Sequence, residues 1–150
     1  MNMSRKEKVI IGRLENISLP NLGIENLTVR VDSGAQTSSL HVDNISLLTE
    51  QGKPCIQFDI HPEVHNVDKV VRCQSELYDL RKIKSSNGAS EQRYVIETNA
   101  RLGQLEWPIQ ITLTDRSDMT YLMLLGRQAM GTKFLIDPSK VFCGSSIEEI

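Results

Sequence analysis

The residues best suited to chemistry lie in one stretch, Val29-Arg30-Val31-Asp32-Ser33-Gly34-Ala35-Gln36-Thr37-Ser38-Ser39-Leu40. An apolar–polar alternation runs into Asp32, and small residues follow. A carboxylate is a side chain able to take a proton from water, and Asp32 falls where the strand pattern ends. The same residue types are favoured wherever a strand ends in a turn, and taken alone this stretch reads more simply as such a turn. A second element stands far downstream. Leu122-Met123-Leu124-Leu125-Gly126-Arg127-Gln128-Ala129-Met130 is an apolar run, a Gly-Arg break and then a short helical turn.

Other reactive types are sparse. His41, His61 and His65 supply imidazoles, and zinc sites usually take three protein ligands with water. There is no H-E-x-x-H pattern, and Pro62 interrupts the i, i+4 spacing of His61 and His65. No nucleotide-binding G-x-x-x-x-G-K-[ST] loop is present either. The expectation is therefore no metal and no cofactor. Cys55, Cys73 and Cys143 form no C-x-x-C pair and read as free or buried thiols in a reducing compartment.

These groups need a scaffold, and the patterning describes one. Leu27–Val31, Cys55–Ile60, Tyr94–Thr98 and Trp107–Leu113 carry the alternation of strands. Turn formers separate them at Pro20–Gly23, Gln51–Pro54, Ser85–Gly88 and Leu102-Gly103. The helix candidates are short, at Arg127–Met130 and Asn44–Glu50. Many short strands at such spacing predict an all-β, closed or nearly closed antiparallel barrel. One domain over residues 1–150 is expected, with residues 1–8 a flexible tail. Ile10-Ile11-Gly12-Arg13 echoes Leu124-Leu125-Gly126-Arg127, an echo too short to argue for duplication.

The composition excludes several classes. A formal charge of −2 and 5% aromatic residues give neither a basic surface nor stacking platforms for nucleic acid. The apolar run Val9-Ile10-Ile11 stops at Gly12, far short of a signal peptide or membrane span. A cytoplasmic setting without membrane contact is expected.

An early Asp-Ser-Gly-Ala paired with a late hydrophobic-hydrophobic-Gly-Arg resembles the signature of retroviral-type aspartic peptidases. The resemblance is nearer still to a bacterial retropepsin-like branch often labelled ATP-dependent zinc proteases. It rests on Leu19–Ile24, His61-Pro62, Arg93–Ile96, Trp107–Ile109, Leu113–Arg116 and Met123–Arg127, and spans residues 10 to 140. Two positions depart from that pattern: Ser33 stands where Thr is usual, and Gln36 where the branch has Arg.

The resemblance implies a small barrel of the retropepsin (acid protease) type. Asp32, Ser33 and Gly34 would be the catalytic residues, with Gly126 allowing close backbone approach behind the loop and Arg127 packing against it. Water activation needs two facing carboxylates that share one proton, as in the general aspartic-protease pattern. This chain has a single Asp-Ser/Thr-Gly, so a homodimer with Asp32 near its two-fold axis is expected. Lys82–Ser90, with its Asn87-Gly88 turn, reads as a flap or as a plain surface hairpin. Candidate substrate-binding residues are Ala35, Gln36, Arg81, Ser86, Gly88, Arg93 and Arg116. The expected reaction is hydrolysis of a peptide or isopeptide bond. Family members found with a ribosomal-protein glutamate ligase suggest glutamate-rich substrates. The competing readings are a non-catalytic barrel binding acidic peptides, with Arg81, Arg93, Arg116 and Arg127 as carboxylate clamps, and a zinc-dependent peptidase.

Overall fold

The computed structural model describes residues 8–62, 69–84, 88–115 and 120–144. Most of them lie in strands. The first is β1 (Val9–Ile11), followed by β2 (Leu14–Leu19), β3 (Ile24–Asp32), β4 (Ser38–His41), β5 (Asp43–Glu50) and β6 (Lys53–Ile60). Then come β7 (Val71–Glu76), β8 (Asp79–Lys84), β9 (Ser90–Leu102), β10 (Leu105–Thr114), β11 (Met123–Gly126), the one-turn helix α1 (Arg127–Met130) and β12 (Phe134–Ile136).

Six strands close a ring in the order β10-β4-β11-β3-β2-β9, sealed by β9 against β10, and β8 extends from β9. Alternation along β3 sends Leu27, Val29 and Val31 inward while Arg30 faces solvent. The same rule buries Ile109 and Ile111 of β10 beside Ile17, Ile96, Met123 and Leu125. Each such side chain contributes about 1.5–3 kcal/mol of burial. A hairpin through Gly103, at φ 60, joins β9 to β10. The ring is mostly antiparallel, as expected, but β10 pairs β4 in parallel and β11 pairs β3 in parallel. Alternation reports which face is buried and says nothing about neighbour direction.

β5, β6 and β7 form a separate antiparallel sheet whose Phe58, Ile60 and Cys73 enter the same core. Its outer face is a hydrogen-bonded ladder. Arg72 reaches both Asp59 (3.0 Å) and Gln57 (3.0 Å), Gln57 donates to Gln74 (2.9 Å), and Gln74 donates to Glu50. The Asn44 and Arg72 side chains hold the Asp59 carboxyl below its ordinary value.

Arg127–Met130 is helical as expected, whereas Asn44–Glu50 is not. It belongs to β5, where Asn44 takes a positive φ of 55 and the register slips between Asp43 and Ser46. That bulge breaks the two-residue period, so Ile45 and Leu48 stand three apart and mimic a helical face. The expected turn at Gln51–Pro54 narrows to Gln51-Gly52, both with positive φ, as a two-residue hairpin requires. The expected tail falls almost wholly outside the described residues.

The remaining pair, β1 with β12, makes a parallel two-stranded ribbon in the register Val9↔Phe134, Ile10↔Leu135, Ile11↔Ile136. Ile10 and Leu135 point outward, 52% and 54% exposed. Among the described residues, no helix is long and apolar enough to cross a membrane.

Candidate active site

β3 delivers Asp32 to the end of the barrel. The carboxylate is partly buried, and its Oδ1 accepts the Gly34 N–H at 3.0 Å while the Asp32 carbonyl accepts the Ala35 N–H at 3.2 Å. These two bonds fold the chain back immediately after the acid. Ser33 and Gly34 are exposed at the tip.

Behind the loop stands Gly126, in register with Asp32. A Cβ there would lie 2.6 Å from the Thr37 carbonyl carbon and 3.0 Å from the Ala35 oxygen, so only glycine fits. The chain then stitches itself to the loop. The Arg127 and Gln128 N–H groups donate to the Ala35 (2.9 Å) and Gln36 (3.0 Å) carbonyls, and the Arg127 guanidinium donates to the Ser33 (3.2 Å) and Gly34 (3.3 Å) carbonyls. The Gly126 N–H is satisfied by the Ser38 hydroxyl at 3.0 Å, and the Ser38 carbonyl accepts the Thr112 hydroxyl at 3.0 Å. Ser38 is buried. Sequence reasoning missed it, because a hydroxyl serving a backbone N–H so far along the chain leaves no local pattern.

The same backbone device occurs twice. β12 runs into Asp137 as β3 runs into Asp32, and β1 pairs in parallel with β12 as β11 does with β3. The Asp137 carbonyl accepts the Lys140 N–H (3.1 Å), and the Lys140 carbonyl accepts the Arg13 N–H (2.8 Å), matching Asp32, Ala35 and Arg127. A Cβ on Gly12 would overlap the Lys140 carbonyl. The echo between residues 10–13 and 124–127 thus corresponds to a shared geometry. Arg13 touches both halves, since its carbonyl also accepts the Val31 N–H at 2.9 Å.

A cleft of about 630 Å³ runs beside the acid loop. Ala35, Gln36 and Thr37 line it together with Arg81, Lys82, Ile83, Lys84 and Arg93 of β8 and β9, and with Leu124 and Gln128. Asp32 itself stands outside that lining. Arg81 is held by Asp79 and Gln110 (both 3.2 Å) and Arg93 by Glu91 (3.2 Å), so both guanidiniums are oriented. Four of the candidates, Ala35, Gln36, Arg81 and Arg93, are brought together in this cleft. Gly88 sits apart from it on the β8–β9 hairpin, with φ 88 and open space around it. Ser86 and Arg116 lie outside the described residues, as does the middle of the expected flap. Lys82 and Lys84 are basic groups that the sequence reading did not single out.

His41 and His61 both turn toward Asp43, with Nε2 at 3.8 and 3.2 Å from its two oxygens. Among the described residues, no group of three or more His, Cys, Asp and Glu is arranged to hold a metal ion. His65 lies outside them. The three cysteines are free, and burial raises the Cys73 thiol to about 11.

With this geometry in place, known proteins give a consistent picture. A family profile described as RimB-like, "Retropepsin-like aspartic endopeptidase RimB", matches residues 10–145. A protein of Shewanella pealeana named probable alpha-L-glutamate ligase is 48% identical over 136 residues, which are 91% of this chain and 30% of that protein. A protein of Desulfotalea psychrophila with the same name is 46% identical over 88% of this chain and 28% of its own length. The chain thus spans under a third of these curated relatives. A crystal structure of a Legionella pneumophila protein of unknown function superimposes with a TM-score of 0.76 at 27% identity, covering 91% of this chain and 98% of that one.

Proposed function

The chain belongs to the RimB-like family of retropepsin-like aspartic endopeptidases, and from that premise we propose that it hydrolyses peptide or isopeptide bonds with a pair of Asp32 carboxylates, one from each chain of a homodimer. The observation that carries this reading is the loop geometry. Asp32 stands at the barrel end on a backbone pinned by Gly126, Arg127 and Ser38, with exposed small residues at its tip. A pinned carboxylate at an accessible tip can meet a twin across a water. One ionised carboxylate takes a proton from the water, whose oxygen attacks the scissile carbonyl carbon. The protonated partner hydrogen-bonds the carbonyl oxygen. As the C–N bond breaks, the leaving nitrogen takes a proton, and one proton stays shared by the pair.

Two features support the dimer. The acid loop contributes one carboxylate per chain. The β1–β12 ribbon, tied to the Asp32 strand through Arg13 and Val31, leaves Ile10 and Leu135 exposed for a second copy. The substrate proposed is an acidic, glutamate-rich peptide. Lys82 and Lys84 bring positive charge to the cleft of a chain whose formal charge is −2, beside Arg81 and Arg93, whose guanidiniums are oriented by Asp79 and Glu91. A cytoplasmic setting is proposed from the three free thiols.

A second reading has its own support. The curated relatives that contain this region are named as ligases, which favours a barrel that presents an acidic peptide without cutting it. Cleavage of a glutamate-rich peptide, measured for wild type and Asp32→Asn with and without a chelator, separates the two. Chelator-insensitive cleavage that disappears in Asp32→Asn is the expected result. Binding without cleavage by the wild type would leave the module reading, and cleavage abolished by the chelator would point to a metallopeptidase.

A further inference from the structure

Glu15 is completely buried, although it carries a carboxyl group, and it belongs to no part of the acid loop. Its Oε2 accepts three backbone N–H groups: Gly12 at 2.7 Å, Cys143 at 2.8 Å and Gly144 at 3.2 Å. Burying a carboxylate this deeply is tolerated when donors replace its water. These donors come from two segments far apart in the chain. One is the Gly12-Arg13 step that follows β1, and the other is the segment after Asp137. That second segment runs along β1 and β2 as a strap. The Asp137 N–H donates to Ile11 (2.8 Å), Arg13 donates to Lys140 (2.8 Å) and Phe142 donates to Leu14 (2.8 Å). The strap then ends on the Glu15 carboxylate.

The strap is linked to the acid strand through Arg13. Arg13 is the residue after Gly12, and its carbonyl accepts the N–H of Val31, the residue before Asp32. β3 is therefore held at its catalytic end from two sides. On one side Gly126 and Ser38 fix it, and on the other the Gly12-Arg13 step does so, with Glu15 fixing Gly12. We propose that Glu15 is a positioning residue for Asp32, setting where β3 ends and so whether two Asp32 carboxylates can share one water. The proposal rests on the peptidase reading above. Displacement of a reacting group by a fraction of an ångström to an ångström reduces turnover, while the basic side chains of the cleft, Arg81, Lys82, Lys84 and Arg93, stand on β8 and β9 and keep their contacts with substrate.

The test uses the full chain with the glutamate-rich peptide, comparing wild type, Glu15→Gln and Phe58→Leu. Phe58 is a core residue of the other sheet and serves as a control for lost stability alone. Glu15→Gln keeps the size and weakens the acceptor. The expected result is kcat about tenfold lower with KM unchanged, while Phe58→Leu melts earlier but keeps its kcat per folded molecule. If Glu15→Gln does not fold, Glu15→Asp, which draws the charge back by one methylene, is read the same way. Wild-type kcat in the folded Glu15 variant overturns this role and leaves the peptidase reading standing. Absence of Asp32-dependent cleavage in the wild type overturns both.

Discussion

The Asp32 loop and the Asp137 loop share one backbone design and differ in how their carboxylates are used. In both, a strand leads into aspartate, its parallel neighbour leads into Gly-Arg, and the glycine lies where no Cβ fits. At Asp137 the carboxylate turns inward on its own loop. One oxygen takes both the hydroxyl (2.6 Å) and the N–H (3.0 Å) of Ser139, and these bonds, the side-chain one first, hold the carboxyl below its ordinary value. At Asp32 the residue two positions on is Gly34, which offers an N–H and no hydroxyl. The glycine N–H groups are also treated differently, with Ser38 serving Gly126 and Glu15 serving Gly12. The difference shows that this scaffold makes a turn by default, and that a glycine two positions after the acid, in place of a serine, leaves Asp32 without the hydroxyl bond that Asp137 receives from its own loop.

The largest test of this contrast is a pair of matched variants. Asp32→Asn is expected to lower kcat by about 10³-fold, the scale of a lost acid–base partner. Asp137→Asn should stay within about threefold, because its carboxylate serves only its own turn. Comparable losses in peptide-cleavage assays of the two variants would erase the distinction.

The glycines should behave alike where the acids do not. Gly126→Ala and Gly12→Ala each force a methyl into backbone, and each is expected to cost about 1–3 kcal/mol or more in denaturant unfolding. An unchanged midpoint for either would mean that the close approach relaxes easily.

A third test exploits an exchange of residue type at matched positions. Arg30, opposite Leu124 in the first unit, corresponds to Leu135, opposite Ile10 in the second. Leu135→Arg copies the first unit onto the exposed ribbon and should weaken self-association roughly tenfold or more by placing like charges together. Sedimentation velocity reads this directly, and an unaltered dissociation constant would move the interface elsewhere.

The smallest effect concerns pH. Asp137 has a depressed folded-state value, so its contribution to stability is present above its ordinary value of 3.8 and is lost as pH falls through the lower folded value. The melting-temperature gap between wild type and Asp137→Asn should therefore narrow from pH 7 to pH 3. A constant gap would show that the Ser139 bonds do not favour the charged form.

The sequence revealed what is periodic and local. The strand cores at Leu27–Val31, Cys55–Ile60, Tyr94–Thr98 and Trp107–Leu113 could be read because alternation is imposed at every second residue. The Asp32 and Gly126-Arg127 segments could be read as a pair through their motifs. Asn44–Glu50 could not, since a bulge shifted its period. Ser38 and Glu15 were invisible for another reason. Their partners are backbone groups, which every residue possesses, and Glu15 reaches as far as Gly144. The parallel neighbours of β3, β4 and β12 were equally silent, because side-chain alternation is the same for either strand direction.

One consequence of the β1–β12 ribbon concerns the growing chain. Val9 waits for Phe134, so the earliest strand finds its mate only after nearly every other strand has been made. At about 5–20 residues per second on a ribosome, that is on the order of ten seconds during which Val9-Ile10-Ile11 stays unsheltered. Contacts spanning such a distance also slow the search for the native state. The ribosome must therefore release nearly every strand of the ring before the β1–β12 ribbon can pair.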